Sequence, residues 1–188
     1  MAIGIHMHAG ALCLVLLSSV QVTALDCNFL KVQQQRFNLQ SLKLWKERSA
    51  KFPSACLKEL TAFSFPSDIL EISESRLAMI AVYEILHGFL NILRRDLLGT
   101  GLEVTQRKRF LQMLHAQTEV IERCLEERKV TLRGAKGRKT VLRLKRYFQR
   151  IITFIREKER GTCIWESLQL EIRTSFTYID ILTKRMNS

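Results

Sequence analysis

Cys163-Ile164-Trp165-Glu166-Ser167-Leu168-Gln169-Leu170-Glu171-Ile172-Arg173-Thr174-Ser175-Phe176-Thr177-Tyr178-Ile179-Asp180-Ile181-Leu182-Thr183-Lys184-Arg185-Met186 is the stretch that decides the fold. Trp165, Leu168, Ile172, Phe176, Ile179, Leu182 and Met186 recur at steps of three and four, the spacing that puts side chains on one face of an α-helix. The preceding Gly161-Thr162 closes whatever comes before, and Thr162 is the expected N-cap.

Working back from this helix, the breakers divide the chain into four more helical segments. The fourth is expected from about Lys139 to Glu159, with Val141, Leu144, Phe148, Ile151 and Ile155 inside, and Gly134-Ala135-Lys136-Gly137 is expected to stop the segment before it. The third runs from about Glu103 to Arg128, placing Leu111, Leu114, Thr118, Ile121 and Leu125 along one side. The second reads from Ser67 or Asp68, with an irregular first turn, to Leu98 and ends at Gly99-Thr100-Gly101; Met79, Val82, Leu86, Phe89, Leu93 and Leu97 form its stripe. Ile80, Ile85 and Ile92 lie off that stripe, as in a helix buried nearly all round, while Glu84 and Asn91 form one wetter line. The first spans Asn28 to about Trp45, with Gln33-Gln34-Gln35 assigned to its solvated side. Between the first and second lie Phe52-Pro53 and Phe65-Pro66, and each proline disfavours helix at the residue before it, so a long connection crosses the domain there.

Composition agrees. Of 188 residues, 47% are apolar, and 8 Gly with 2 Pro supply too few turns for a sandwich or barrel. The expectation is all-α: a five-helix bundle of the cytokine type, up-up-down-down, with a long first crossover.

Residues 1–24 are read separately as a secretory signal peptide, leaving 25–188 as the helical domain. No Asp, Glu, Lys or Arg occurs before Asp26, and an apolar stretch from Ala9 leads to the small-residue ending Val22-Thr23-Ala24. The n-region lacks the usual Lys or Arg. Secretion makes the cysteines informative. Cys13 leaves with the signal, and Cys27, Cys56, Cys124 and Cys163 form two disulfides with three connectivities open. No C-x-x-C pair supports a zinc or redox site.

Chemistry has little foothold. Glu84-x-x-His87 is half of a di-iron pattern, but Gln112 stands where the second copy before His115 needs Glu, so no metal is expected. No nucleophile, base and orienter are marked as a trio, and the protein is read as no enzyme, without cofactor. The formal charge of +12 is concentrated: Arg128, Lys129, Arg133, Lys136, Arg138, Lys139, Arg143, Lys145, Arg146 and Arg150 fall in 23 residues without one acid. This run suits an anionic partner, heparan sulfate or an acidic receptor, or is simply a solvated face; Arg133, Lys136, Arg138, Lys139 and Arg143 are the patch singled out. Nucleic acid is not expected, since no aromatic stacking platform accompanies the charge, and no segment is read as membrane-inserted. On the last helix, Leu170, Thr174 and Ile181 lie off the core stripe beside Gln169 and Arg173, forming a binding patch or a seat for the crossover.

Cys56-Leu57-Lys58-Glu59, Phe63-Ser64-Phe65-Pro66, Tyr83-Glu84-Ile85-Leu86, Leu144-Lys145-Arg146-Tyr147-Phe148-Gln149-Arg150-Ile151 and Cys163-Ile164-Trp165-Glu166, in this order, resemble the type I interferons, alpha/beta branch. Glu171-Ile172-Arg173 and Leu182-Thr183-Lys184-Arg185-Met186 extend the likeness to the end of the chain. The resemblance implies the pairs Cys27–Cys124 and Cys56–Cys163. It also implies a secreted antiviral cytokine that bridges the two different chains of the interferon receptor and activates JAK-STAT signalling. Carried over by position, the high-affinity receptor face comprises Leu57, Lys58, Leu60, Gln169, Leu170, Arg173 and Thr174. The low-affinity face comprises Glu84, Leu90, Asn91, Lys145 and Arg146. This chain has Leu60 and Gln169 where the family commonly has Arg, which moves the expected weight of binding to Leu170 and Arg173. The competing reading is a cationic host-defence or heparan-sulfate-binding protein acting through the basic run. No Asn-x-Ser/Thr sequon is present, so no N-glycosylation is expected.

Overall fold

A computed structural model describes residues 27–49, 53–59, 63–94, 104–130, 134–157 and 163–186. Five α-helices account for most of them: α1 Leu30–Ser49, α2 Ser75–Arg94, α3 Val104–Glu127, α4 Ala135–Glu157 and α5 Ile164–Lys184. Short 3-10 turns occupy Cys27–Phe29, Ser54–Glu59 and Ser67–Glu71, and no strand occurs among the described residues. The expected leader, Leu60, Leu97, the Gly99–Gly101 stop, Arg133 and the Thr162 cap all lie outside the described residues.

The contacts give the helix directions. Phe37 meets Phe176 while Trp45 meets Trp165, so α1 and α5 are antiparallel. Cys27 bonds Cys124 while Trp45 meets Phe110, so α3 also opposes α1. Tyr83 reaches Glu122 while Arg107 reaches the Leu93 carbonyl, so α2 opposes α3 and runs with α1. α1, α2, α3 and α5 are therefore up, up, down, down. α4 adds a further upward helix, because Ile80 lies near Ala135 at one end and Phe89 meets Phe148 farther along.

The α5 stripe is the spine of the core: Trp165, Leu168, Ile172, Phe176, Ile179, Leu182 and Met186 are all buried. α2 buries Ala78, Met79, Ile80, Ala81, Val82, Ile85, Leu86, Phe89, Leu90, Ile92 and Leu93. It is long and apolar enough to cross a membrane, yet those side chains are spent on its neighbours. Midway along it, a Cβ on Gly88 would collide with the ring of Phe148, so glycine is what lets α4 approach α2 so closely.

Four sequence expectations need correction. Gln34 is not solvated: it is fully buried, as are Asn38 and Thr183. Gln117 Nε2 donates to Gln34 Oε1 (2.5 Å), Gln34 Nε2 to Asn38 Oδ1 (2.7 Å), Asn38 Nδ2 to Thr183 Oγ1 (3.2 Å), and Thr183 Oγ1 to the Ile179 carbonyl (2.7 Å). This relay satisfies polar groups that would otherwise be costly to bury and fixes α1 against α3 and α5. Second, Gly134–Gly137 is not the stop for the third segment. α3 ends earlier, where Lys129 adopts φ 49° and the Val130 amide bonds the Leu125 carbonyl (2.8 Å) while the Lys129 amide bonds that of Glu126 (2.9 Å). That is a Schellman ending with Lys in the seat glycine usually takes. Third, α4 starts at Ala135 rather than Lys139, and Gly137 is buried in its first turn. Fourth, the irregular first turn expected of the second segment is a full break. Ser67–Glu71 forms its own turn, Ile72 is extended, and α2 begins only at Ser75. Arg185 donates to the carbonyls of both Leu70 and Ile72, which rewards the break.

Candidate functional site

The crossover between α1 and α2 is a strapped segment. Cys56 is bonded to Cys163 at the head of α5, and Cys27 to Cys124. Arg150 donates from Nε to the Phe63 carbonyl (3.1 Å) and from Nη2 to the Ser64 carbonyl (2.8 Å), and Arg143 pairs with Asp68. Phe63 packs edge-on to Phe154, and Phe65 lies between Tyr147 and Tyr178. Ser64 takes φ 52°, which turns the strap between those two aromatics.

α4 carries this strap on one flank. Arg143, Tyr147, Arg150 and Phe154, spaced four, three and four, all face the crossover. Phe148 and Lys145 mark the other flank, against Phe89 and Glu84 of α2. Two dissimilar surfaces therefore lie on either side of one helix.

On the strap side, Leu57 is 58% exposed beside the Cys56 bridge, and Leu170 of α5 is 36% exposed about two turns beyond Cys163. Arg173 and Thr174 are half-buried next to it. Lys58 belongs to the Ser54–Glu59 turn. Gln169 is corrected: at 7% exposure it faces inward and has no side chain to offer a partner there. Beneath this surface the Tyr147 hydroxyl donates to Glu171 and lies 3.0 Å from Ser175 Oγ. Burial pushes Tyr147 well above the ordinary phenol range. It also raises Glu171 above 4.5, against which the Tyr147 hydrogen bond works.

On the α2 side, Lys145, Arg146 and Asn91 are exposed and Glu84 is half-buried. Burial raises the Glu84 carboxyl, opposed by the positive Lys145. Leu90 is corrected as well. It is 2% exposed, because α2 buries more than a narrow stripe. Asn91 Nδ2 lies 3.3 Å from His87 Nε2, and His87 stacks on Tyr83 at 5.6 Å. The Tyr83 hydroxyl donates to Glu122 (3.0 Å) and is pushed up to about 12, chiefly by burial and then by that hydrogen bond. Tyr83 and His87 thus belong to this surface, although sequence reasoning weighed His87 only as half of a metal pattern and quoted Tyr83 only within the family resemblance; their spacing of four on a helix was the available signal.

The basic run divides similarly. Lys136, Arg138 and Lys139 are exposed on α4, whereas Arg143 is committed to Asp68 and is corrected from anion patch to strap anchor. Among the described residues, no group of three His, Cys, Asp or Glu side chains could hold a metal ion.

The profile described as Interferon alpha/beta domain matches residues 30–186. Interferon type A1/A2 of Gallus gallus is 29% identical over 169 residues, covering 90% of this chain and 88% of the relative. Human interferon kappa is 32% identical over 171 residues, 82% of each protein. Human interferon beta is 28% identical over 173 residues, covering 90% and 92%. A match running from the first turn of α1 to the residue that completes the α5 stripe makes the conclusion plain: the chain belongs to the type I, or alpha/beta, interferon family of cytokines.

Proposed function

We propose that this interferon, secreted after loss of residues 1–24, binds two different receptor chains at once, one on each flank of α4. The tighter chain docks on Leu57, Lys58, Leu170, Arg173 and Thr174, with Leu60 carried over by sequence position alone. The weaker chain docks on Glu84, Asn91, Lys145 and Arg146. The ligand performs no reaction. It holds two receptors together so that their associated kinases activate one another, leading to JAK-STAT signalling and an antiviral response.

The observation that carries this reading is the strapped crossover. A disulfide and two arginines hold the segment bearing Leu57 against α4 and α5. A surface fixed before binding loses less conformational freedom on docking. Arg173, a residue type enriched among interface anchors, lies beside the exposed apolar Leu170. Replacing Leu170 and Arg173 together by Ala should speed dissociation from the tighter chain by well over about tenfold, as loss of two anchors at roughly 1–2 kcal/mol each requires. Reporter cells lacking either receptor chain should not respond; a response that survives loss of one chain refutes the bridging mechanism.

A further inference from the structure

α1 is partly inside out. Toward the core it buries the polar Gln34, Asn38 and Ser41 beside Leu30, Phe37 and Trp45. Toward solvent it presents Val32, 42% exposed, and Leu39, 71% exposed, and Phe29 of the preceding turn is 60% exposed. Phe29, Val32, Arg36, Leu39 and Lys43 follow one another at steps of three, four, three and four. That spacing draws one line along the helix, opposite the buried arc. The line is about 21 Å long. Arg36 and Lys43 are exposed on it, and no Asp or Glu occurs from Cys27 to Lys46. Apolar side chains that a helix could have used inside are spent outside, and they are aligned rather than scattered.

Apolar groups interleaved with cations suit the surface of an anionic bilayer, where the former enter the acyl boundary and the latter meet headgroup phosphates. A second copy of the chain suits it less. Packing α1 on α1 would bring together the Arg36 and Lys43 of both copies, with no acid on the line to offset them, in a protein of formal charge +12. A sulfated polysaccharide would pair with the two cations and leave Phe29, Val32 and Leu39 in water. We propose that the outer line of α1 docks the protein on an anionic lipid surface, with Phe29, Val32 and Leu39 in the boundary layer and Arg36 and Lys43 on the phosphates. The helix lies on the bilayer and does not span it, because its other side stays in the core. The site stands on α1 and its first turn and does not depend on the receptor reading.

Flotation of the protein, in the form that expressing cells release, with equimolar phosphatidylserine–phosphatidylcholine vesicles and with pure phosphatidylcholine vesicles tests it. Binding to the anionic vesicles should be tighter by about tenfold or more. Val32→Ser with Leu39→Ser should weaken that binding by about tenfold or more, and so should Arg36→Gln with Lys43→Gln. Lys136→Gln with Lys139→Gln removes the same charge from exposed positions of α4 and should change it by less than about threefold, being too far from the contact to act through salt. Vesicle binding untouched by the Val32 and Leu39 pair would overturn the site, since charge alone would then suffice. Equal losses from the two charge pairs would overturn it in favour of the basic run on α4. Variants of the α1 line that lose heparin or receptor binding while keeping vesicle binding would assign the line to a polysaccharide or a protein instead. Circular dichroism of each variant should be unchanged, since every replaced residue lies on the outside of its helix.

Discussion

Gly88→Ala would normally stabilise a helix interior by roughly 1 kcal/mol, because alanine loses less backbone freedom than glycine. At this position the sign should reverse. The added methyl would overlap three ring atoms of Phe148, Cδ2, Cε2 and Cζ. The ring has little room to yield: it is 7% exposed and held edge-on by Phe89 at 5.0 Å and by Tyr147 at 4.9 Å. Overpacking of this kind costs about 1–3 kcal/mol, so after the helix-propensity gain the net loss should be up to about 2 kcal/mol. For a domain of this size that corresponds to a fall in Tm of up to about 8 °C. Equilibrium urea unfolding of the wild type, Gly88→Ala, Phe148→Leu and the double variant forms a closed cycle. In the Phe148→Leu background the methyl has space, and Gly88→Ala should become neutral or stabilising by up to about 1 kcal/mol. The coupling between the two positions should then reach about 2 kcal/mol, within the range measured for residues in contact. A stabilising Gly88→Ala in the wild-type background, or coupling near zero, would refute the claim that this glycine sets the α2–α4 distance.

Two further perturbations separate stability from surface. Glu171 has its carboxyl raised by burial, so its contribution to stability is complete below its ordinary value of 4.5 and is lost as pH rises through the raised value. Glu171→Gln should therefore match or exceed the wild type in urea midpoint at pH 7 and lose that advantage at pH 4; a variant less stable at both would refute the assignment. The bridges Cys27–Cys124 and Cys56–Cys163 join residues 97 and 107 apart, so removing either by double Ser replacement should cost up to about 4–5 kcal/mol. Only loss of Cys56–Cys163 should also speed dissociation from the tighter receptor chain, and equal receptor kinetics for the two reduced variants would sink the preorganised crossover.

The α5 helix and its buried stripe were legible in the sequence because periodicity is a local property and every stripe residue obeys it. What was missed depends on partners far along the chain. Gln34 is buried only because Gln117 and Asn38 satisfy it, with the relay completed at Thr183. Ile72 interrupts the second segment where Arg185, more than a hundred residues later, bonds its carbonyl. Lys129 ends α3 in a conformation that no side-chain pattern announces. The same limit shaped the candidate faces. Leu90 and Gln169 were assigned to exposed faces, but α2 and α5 bury wider arcs than a stripe drawn at steps of three and four.

Charge shows the difference between counting and placing most clearly. Ten cations in one run read as one feature, yet Arg143 and Arg150 face the crossover, Lys145 faces Glu84, and Arg138 and Lys139 lie outward. A turn of α4 by one residue, about 100°, would scramble all three roles together. Beside the Arg143 and Arg150 anchors, a set of uncharged contacts prevents it: Phe148 against Gly88 and Phe89, Tyr147 against Ser175, and Phe154 against Phe63. Steric fit therefore helps set the electrostatic surfaces, and a variant that loosens the packing of α4 on α2 should blur the proposed face on that side without touching a single charge. Gly88→Ala tests that link as well. The strap flank, held by its disulfide, should keep its affinity for the tighter chain, while the Glu84 and Lys145 surface, held by packing alone, should lose affinity for the weaker one.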